Sequence, residues 1–273
     1  MAEPQETVPE GADTSIPSIA RIYDYYLGGT HNFAVDREAA AQVAGELPTL
    51  PAILRVNRAF LRRAVRYLAE QGVRRFLDLG SGIPTVDNVH DIVQGVDPSA
   101  RVVYVDNDPI AVANGRQILA GNAGAVAVSG DLREPEKVLS DPDVARLLLP
   151  ESGEPVAVIM SSVLHFVPDD GEAAALVAAY RAAVPAGSYL AISHGARNPA
   201  DDPRLDRAAA TYSRTIASLK LRSHIELEQL LAGYDLVEPG VAYCSEWRPE
   251  GDAPVESAGP LPQICALGIK RAD

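Results

Sequence analysis

A pair of glycines that ends an apolar run constrains the fold of this chain more than any other feature. The run Phe76 to Leu79 is followed directly by Gly80-Ser81-Gly82. Glycine allows a buried strand to turn tightly into a helix and lets a ligand approach the backbone N–H groups there. A second apolar run, Arg101 to Val105, ends at Asp106. In a doubly wound sheet this acid lies beside the glycine turn, where its carboxylate can accept both hydroxyls of a ribose. The two runs predict a site for a nucleotide-type cofactor.

The residues after the glycine pair narrow the type of cofactor. The dinucleotide motif Gly-x-Gly-x-x-Gly requires a third glycine, but this chain has Thr85 at that position. NAD and FAD are therefore disfavoured, and an NAD-dependent oxidoreductase is the weaker alternative. A third apolar run, Ala125 to Val128, is followed by a second acid, Asp131. We expect an adenine amino group as the partner of this acid.

The order of these motifs resembles a class I S-adenosylmethionine-dependent methyltransferase. The run Asp78 to Gly82 is followed by Asp106, by Asp131, and by the strand Val156 to Met160 with Ser161 to Phe166 after it. The resemblance implies a Rossmann-like α/β fold with a seven-stranded, mostly parallel sheet and an antiparallel last strand. It also implies S-adenosyl-L-methionine as the cofactor.

Three further motifs are similar to a bacterial S-adenosyl methyltransferase family first catalogued as a domain of unknown function. They are Tyr23 to Gly29, His31-Asn32-Phe33 with Asp36-Arg37-Glu38, and Asn57 to Arg63. The resemblance covers nearly the whole chain after about residue 15. It leaves the methyl acceptor and the methylated atom open.

The resemblance also implies which residues bind the cofactor. We expect Gly80, Ser81 and Gly82 at its methionine side, Asp106 at the ribose, and Asp131 and the Asn107 backbone at the adenine. Asn57 lies on the apolar face of a helix and needs a polar partner, either a ligand or a backbone carbonyl, while Arg58 is suited to a cofactor carboxylate. The other expected neighbours of the cofactor are Tyr23, Gly29, Asn32, Leu132, Ser161 and Ser162.

Two histidines are candidates for the chemistry of transfer. His165 follows the fourth predicted strand, where the reacting end of the cofactor should project, and His31 lies in one of the family motifs. Each can act as a general base or orient the acceptor, or can be a hydrogen-bonded structural residue. Methyl transfer needs a base only when the acceptor must lose a proton, so a catalytic role stays open. The histidines and acids are too scattered to predict a metal site.

Composition limits the partners of the chain. The net charge of −13 argues against a surface that binds nucleic-acid phosphates, so the acceptor is expected to be a small molecule. The N-terminus lacks the apolar core of a signal peptide, and no run approaches the ~20 apolar residues of a membrane span. We therefore expect a cytoplasmic protein without membrane association. Cys244 and Cys265 lack metal-ligand spacing and are expected as buried free thiols.

The patterns along the chain predict one structural unit. Residues 1–15 are expected to form a flexible tail, 16–72 an N-terminal helical lid, and 73–273 the Rossmann-like domain. Within the lid we expect helices at 18–27, 36–46 and 51–71. Strands are predicted at 74–79, 101–106, 125–129, 155–161 and 188–193, helices near 86–95, 109–120, 134–148, 172–184 and 223–232, and a closing antiparallel pair at 236–243 and 263–269. A non-catalytic sensor that binds the cofactor or its demethylated product is the other alternative function.

Overall fold

A computed structural model of the chain describes residue 8 and residues 12–84, 88–148, 153–197, 203–249 and 261–272. Thr85 and the first two residues of the helix expected near 86–95 lie outside the described residues, as does most of the expected tail.

Three helices precede the sheet, close to the predicted bounds. They are α1 (Ile19–Tyr26), α2 (Ala34–Glu46) and α3 (Leu50–Glu70). In α3, Pro51 occupies the first turn, where its missing N–H costs nothing, and Ile53, Phe60 and Leu68 are buried. A buried ion pair of 2.8 Å between Arg21 and Asp36 joins α1 to α2. These N-terminal helices are therefore held in place by both apolar packing and a buried charge pair.

Within the described part of the chain the sheet has eight strands. Seven follow the order β3-β2-β1-β4-β5-β8-β6, and the eighth, β7, pairs with β8. The parallel strands are β1 (Arg75–Leu79), β2 (Arg101–Asp106), β3 (Ala125–Ser129), β4 (Val156–Ser161) and β5 (Tyr189–Gly195). Strands β6 (Tyr234–Leu236), β7 (Ala242–Tyr243) and β8 (Gln263–Lys270) are antiparallel. The strand order reverses at β1, which lies between β2 and β4. In open α/β sheets the crevice at the carboxyl ends of such strands is where ligands bind.

The closing strands differ from the prediction. The single strand expected at 236–243 is interrupted by a turn at Pro239-Gly240, where Gly240 has φ +82°. Proline lacks an N–H for strand pairing, so the segment divides into β6 and β7. The short strand β7 is the eighth, in addition to the seven that were expected.

Seven helices follow β1 among the described residues: α4 (Val89–Val96), α5 (Pro109–Ile118), α6 (Pro135–Ser140), α7 (Pro142–Leu148), α8 (Asp170–Ala182), α9 (Pro203–Thr215) and α10 (His224–Leu230). The prediction of a single helix at 134–148 was wrong. The segment forms two helices, because Pro142 cannot donate the hydrogen bond that would continue α6 into α7. Helix α9 was not predicted. It packs against α2.

Alternating side chains of the strands fill one core on each face of the sheet. Leu77 and Leu79 point to the face covered by α8, whereas Phe76 points to the face covered by α3. On the α3 side, Trp247 is fully buried and meets Phe60 edge-on at 5.3 Å. Cys244 and Cys265 lie in this second core as free, buried thiols. Among the described residues, no helix is both long and apolar enough to cross a membrane.

Candidate functional site

A cavity of about 570 Å³ lies at the carboxyl ends of the parallel strands, beneath α1. We call it the acidic cavity. The strand ends form its floor, and residues of the lid, with Ala12 and Asp13 from the expected tail, form its cover. Eleven of the expected cofactor residues line it: Tyr23, Arg58, Gly80, Ser81, Gly82, Asp106, Asn107, Asp131, Leu132, Ser161 and Ser162.

The two glycines of the turn have different roles. Both have left-handed backbones, with φ +69° at Gly80 and +63° at Gly82. A Cβ on Gly80 would lie 2.4 Å from Val163, so packing of the protein itself excludes a side chain there. A Cβ on Gly82 would meet only Ala20, at 4.0 Å. Gly82 is therefore the glycine that leaves open space beside the cavity.

Asp106 is held at the end of β2 by backbone N–H groups. Its Oδ2 accepts a hydrogen bond of 2.7 Å from Gly82, and its Oδ1 accepts one of 2.9 Å from Asp108. Burial raises the pKa of Asp106 to about 6, although these N–H groups favour the charged form. Each carboxylate oxygen has a second lone pair, so the pair of oxygens can still accept two hydroxyl groups.

A second buried acid of the floor, Asp78, was not among the expected site residues. It lies in β1 and lines the acidic cavity. Burial raises its pKa to about 7, the charge of Arg58 lowers it, and the neighbouring Asp106 raises it further. An acid within an otherwise apolar strand is the signal that could have identified it.

Asp131 lies at the rim, where it already has a cationic partner. Arg133 contacts its Oδ2 at 2.6 Å, and the Asn107 side chain reaches the same oxygen at 3.4 Å. Hydrogen bonds from Arg133 lower the pKa of Asp131. An adenine amino group at this position would share the carboxylate with the guanidinium.

The lining of the cavity carries more negative than positive groups. Arg21 pairs with Asp36, and Arg133 pairs with Asp131. The positive charge of Arg58 lowers the pKa of Asp78. The acids of the lining are Asp13, Asp24, Asp78, Asp106, Asp108 and Asp131, against the cations Arg21, Arg58 and Arg133. This arrangement attracts a cationic ligand and opposes an anionic one.

Three of the expected residues contact Asp24 instead of lining the cavity. The Asp24 Oδ2 accepts hydrogen bonds from the His31 backbone at 2.8 Å and from Asn32 Nδ2 at 3.0 Å. A Cβ on Gly29 would lie 2.0 Å from Asp24 Oδ1. The sequence predicts that Gly29 and Asn32 contact the cofactor and that His31 is catalytic. In the structure these three residues instead surround Asp24, a buried acid that itself lines the cavity.

Asn57 is the centre of a buried polar cluster below the cavity. Its Nδ2 donates to the Tyr23 hydroxyl at 2.9 Å and to Ser161 Oγ at 3.2 Å. Its Oδ1 accepts from Ser193 Oγ at 2.5 Å and from Gln263 Nε2 at 3.4 Å. The partners of Asn57 are therefore protein side chains, and neither Ser193 nor Gln263 was identified from the sequence.

The same cluster holds Ser162 in an uncommon conformation. Ser162 has φ +52°, which costs a residue with a side chain about 1–3 kcal/mol. Its N–H donates to Ser193, and Gln263 Nε2 donates to its hydroxyl at 2.8 Å. These bonds keep the Ser162 hydroxyl at the edge of the acidic cavity.

A smaller cavity of about 110 Å³, which we call the apolar chamber, adjoins the acidic cavity. Residues of α1, α2, α3 and α9 supply most of its walls. The side chains that line both cavities are Ile19, Tyr23, Ser162 and Phe166. The two cavities therefore lie side by side and share this part of their lining.

His165 lies in the wall of the apolar chamber, in the single turn Leu164–Phe166. Its Nδ1 is buried and has no hydrogen-bond partner among the described residues. Burial, with the nearby charges of His194 and Arg222, keeps the pKa of His165 well below the ordinary value. The ring is therefore a neutral imidazole at neutral pH, with one nitrogen able to accept a proton.

The turn that carries His165 is fixed by Arg222, whose side chain is completely buried. Its guanidinium donates to the carbonyls of Leu164 at 3.0 Å and Val167 at 2.8 Å. It also bonds Asp170 at 3.0 Å and the His194 Nε2 at 2.8 Å. Burial lowers the pKa of His194 to about 4, so that this ring is neutral and accepts the bond from Arg222. Among the described residues, no group of histidines, cysteines and acids is arranged to hold a metal ion.

Comparisons with known proteins agree with this architecture. The model of a family described as S-adenosyl methyltransferase matches residues 5–271. A provisionally described methyltransferase from Thermobifida fusca is 38% identical, with 97% of this chain and 98% of that chain covered and a TM-score of 0.88. A DUF574 family protein from Streptomyces avermitilis is 37% identical, with 94% and 99% covered and a TM-score of 0.87.

A more distant likeness concerns the fold alone. Human N-acetylserotonin methyltransferase, solved in complex with SAM, is 15% identical, with 92% of this chain and 62% of that chain covered and a TM-score of 0.51. No protein with a curated description matches the chain. With the family model matched over nearly its whole length, the chain belongs to the S-adenosyl methyltransferase family and is an S-adenosylmethionine-dependent methyltransferase.

Proposed function

We propose that the protein transfers a methyl group from S-adenosylmethionine, bound in the acidic cavity, to a small-molecule acceptor. The observation that carries this proposal is the junction of two cavities of opposite character, one lined by acids and one apolar, at Ile19, Tyr23, Ser162 and Phe166. Transfer requires two ligands that meet at one point, and the shared wall offers that point. When bound, the cofactor supplies a methyl group on a positively charged sulfur, and the carbon–sulfur bond breaks with its electron pair left on sulfur as the acceptor bonds to carbon.

The residues of the acidic cavity match the parts of this cofactor. The carboxylate of Asp106 suits the ribose hydroxyls, the open face of Gly82 suits the methionine side, and Arg58 suits its carboxylate. Asn107 and Asp131 also line the cavity, and we assign them to the adenine. A volume of about 570 Å³ lies within the ordinary range for sites that bind small molecules and cofactors.

The charge of the cavity separates this function from the alternatives. S-adenosylmethionine carries a sulfonium and an ammonium group, which the acidic lining stabilises. The pyrophosphate of NAD would add negative charge beside Asp78 and Asp106, and neither this arrangement nor the comparisons support an oxidoreductase. A pure sensor also finds no support among the relatives.

A parallel calorimetric titration with S-adenosylmethionine, S-adenosylhomocysteine and NAD tests the proposal. We expect the first two ligands to bind and NAD not to bind. Asp106→Asn should weaken binding by about tenfold or more, because hydrogen bonds to a charged group are worth about 1.5–3 kcal/mol. The matched control Asp235→Asn replaces an exposed acid at the far edge strand and should leave the affinity unchanged. Binding of NAD alone, or equal affinity in the Asp106 variant, would contradict the proposal.

A further inference from the structure

The apolar chamber limits the size of the group that can occupy it. Its volume is about 110 Å³. An apolar protein cavity of about 150 Å³ accommodates a benzene molecule. The chamber is smaller than such a cavity, so a single ring is the upper limit on the group that it can hold, and the remainder of a larger molecule must lie outside it.

The chamber also limits the charge of its occupant. Its described lining contains no aspartate, glutamate, lysine or arginine. A buried ammonium or carboxylate without a partner is strongly disfavoured, because the chamber cannot replace its hydration. The occupant is therefore neutral, and this separates it from the cationic ligand expected in the acidic cavity.

Aromatic side chains supply part of the walls. Phe166 stacks on Tyr212 with ring centres 5.7 Å apart, and the His165 ring lies 4.2 Å from that of Phe166. Tyr26 also lines the chamber. Aromatic rings favour stacked and edge-on contacts with one another, so a wall that contains such rings favours a flat aromatic ring as the bound group.

Several polar side chains of the chamber lie at its boundary with the acidic cavity or next to that boundary. Tyr23 and Ser162 line both cavities, and Gln263 donates to the Ser162 hydroxyl. His165 is adjacent to Phe166 of the shared wall and itself lines the chamber. A hydroxyl group on a bound ligand can form hydrogen bonds with such side chains, whereas a purely apolar ligand would leave them without a partner.

On the basis of the proposed function, we propose that the acceptor is a neutral, single-ring phenol, with its ring in the apolar chamber and its hydroxyl at the wall shared with the acidic cavity. The hydroxyl gives its proton to the His165 imidazole, and its oxygen forms the new bond to the methyl carbon. The carbon–sulfur bond breaks at the same time, so the products are an aryl methyl ether, a thioether and a protonated histidine that returns its proton to solvent.

Binding of 4-fluorophenol to the full chain, followed by fluorine NMR, tests the assignment without turnover. Ala209 lines the chamber, whereas its neighbour Ala210 in α9 is exposed and does not. Ala209→Phe should fill the chamber and remove detectable binding of the probe. The matched control Ala210→Phe should bind the probe as the unaltered protein does. Both variants should keep their affinity for S-adenosylhomocysteine and their melting temperature, which shows that the fold and the acidic cavity are intact.

Two charged probes, each compared with a neutral probe of its own size, test the inference on charge. 4-Fluorobenzoate should bind much more weakly than 4-fluorobenzamide, and 4-fluorobenzylammonium much more weakly than 4-fluorobenzyl alcohol. Equal binding of the charged probes, or binding of the phenol that survives Ala209→Phe, would overturn the assignment. Binding of S-adenosylhomocysteine without binding of the phenol would overturn the acceptor class alone. The reverse result would overturn the proposed cofactor and leave the chamber as a phenol site.

Discussion

The Asn57 amide donates a hydrogen bond of 2.9 Å to the Tyr23 hydroxyl, which lies in the wall between the two cavities. Because this hydroxyl accepts from Asn57, its own proton is directed to another acceptor. Burial raises the pKa of Tyr23, so the proton stays on the oxygen at neutral pH.

Tyr23→Phe should therefore weaken binding of 4-fluorophenol and leave binding of S-adenosylhomocysteine largely unchanged. The lost bond leaves the Asn57 amide with one partner fewer and should lower the free energy of unfolding by about 1–3 kcal/mol. Urea unfolding and fluorine NMR measure the two effects. Tyr25→Phe, at an exposed position of the same helix, should change neither; an equal effect of both substitutions would contradict the assigned role.

The contribution of Asp78 to the stability of the ligand-free protein should fall as the pH rises. Its pKa is raised to about 7 in the native state, above the value of about 3.9 for an unfolded aspartate. The native state therefore binds more protons at Asp78 between these values, and the contribution of this residue to the free energy of unfolding falls as the pH rises from about 4 to about 7. Asp106, with a pKa of about 6, adds to the lower part of this fall, whereas the buried histidines His165 and His194, whose pKa values are lowered, contribute a rise.

Urea unfolding of the unaltered protein and of Asp78→Asn between pH 6 and 7.5 isolates the contribution of Asp78. The free energy of unfolding of the unaltered protein minus that of Asp78→Asn should fall over this range, because the amide does not titrate. The same difference taken with Asp235→Asn, at an exposed acid, should stay constant. A constant difference for the Asp78 variant would contradict the raised pKa of Asp78.

Arg222→Met should destabilise the protein and move the turn that carries His165. The substitution leaves the buried carbonyls of Leu164 and Val167 without their donors, at a cost of about 1–3 kcal/mol for each unsatisfied group. Arg271→Met removes an arginine whose ion pair with Asp235 is exposed, and this should change the free energy of unfolding by less than about 1 kcal/mol. Chemical denaturation of both variants gives the comparison, and similar losses would show that Arg222 is not the support of the turn.

His165→Ala should separate cofactor binding from transfer. The side chain lies in the apolar chamber and not in the acidic cavity, so the affinity for S-adenosylhomocysteine should be preserved. Transfer to 4-fluorophenol should fall by about 100-fold, within the range for loss of a general base. His224→Ala changes a histidine that lines neither cavity and should transfer normally. Full transfer by the His165 variant would exclude this residue as the base.

Local patterns were sufficient to predict the five parallel strands and part of the floor of the acidic cavity. Gly82, Asp106 and Asp131 each come within three residues after an apolar run, and the carboxyl ends of parallel strands meet at one edge of a sheet. Helix α9 escaped prediction because its buried residues are Leu205, Ala208 and Thr211, a set too small and too polar to produce a clear apolar stripe.

The polar cluster below the cavities could not be predicted from local patterns. Gln263 lies 206 residues from Asn57, and Ser193 lies 136 residues from it. Each is an isolated polar residue in a strand, and only the antiparallel pairing of β8 with β5 brings them together. Asn57 could be identified as a polar residue that needs a partner, but the identity of that partner depends on the tertiary fold.

The walls of the apolar chamber come mainly from helices that lie outside the repeating strand and helix units of the sheet. Ile22, Ile53 and Leu205 belong to α1, α3 and α9, whereas Gly82 and Asp106 belong to the strand ends. Substitutions in these helices can alter the shape of the chamber while the sheet and its turns stay the same. Relatives that share one methyl donor can therefore differ in the compounds that they methylate, through substitutions in these helices.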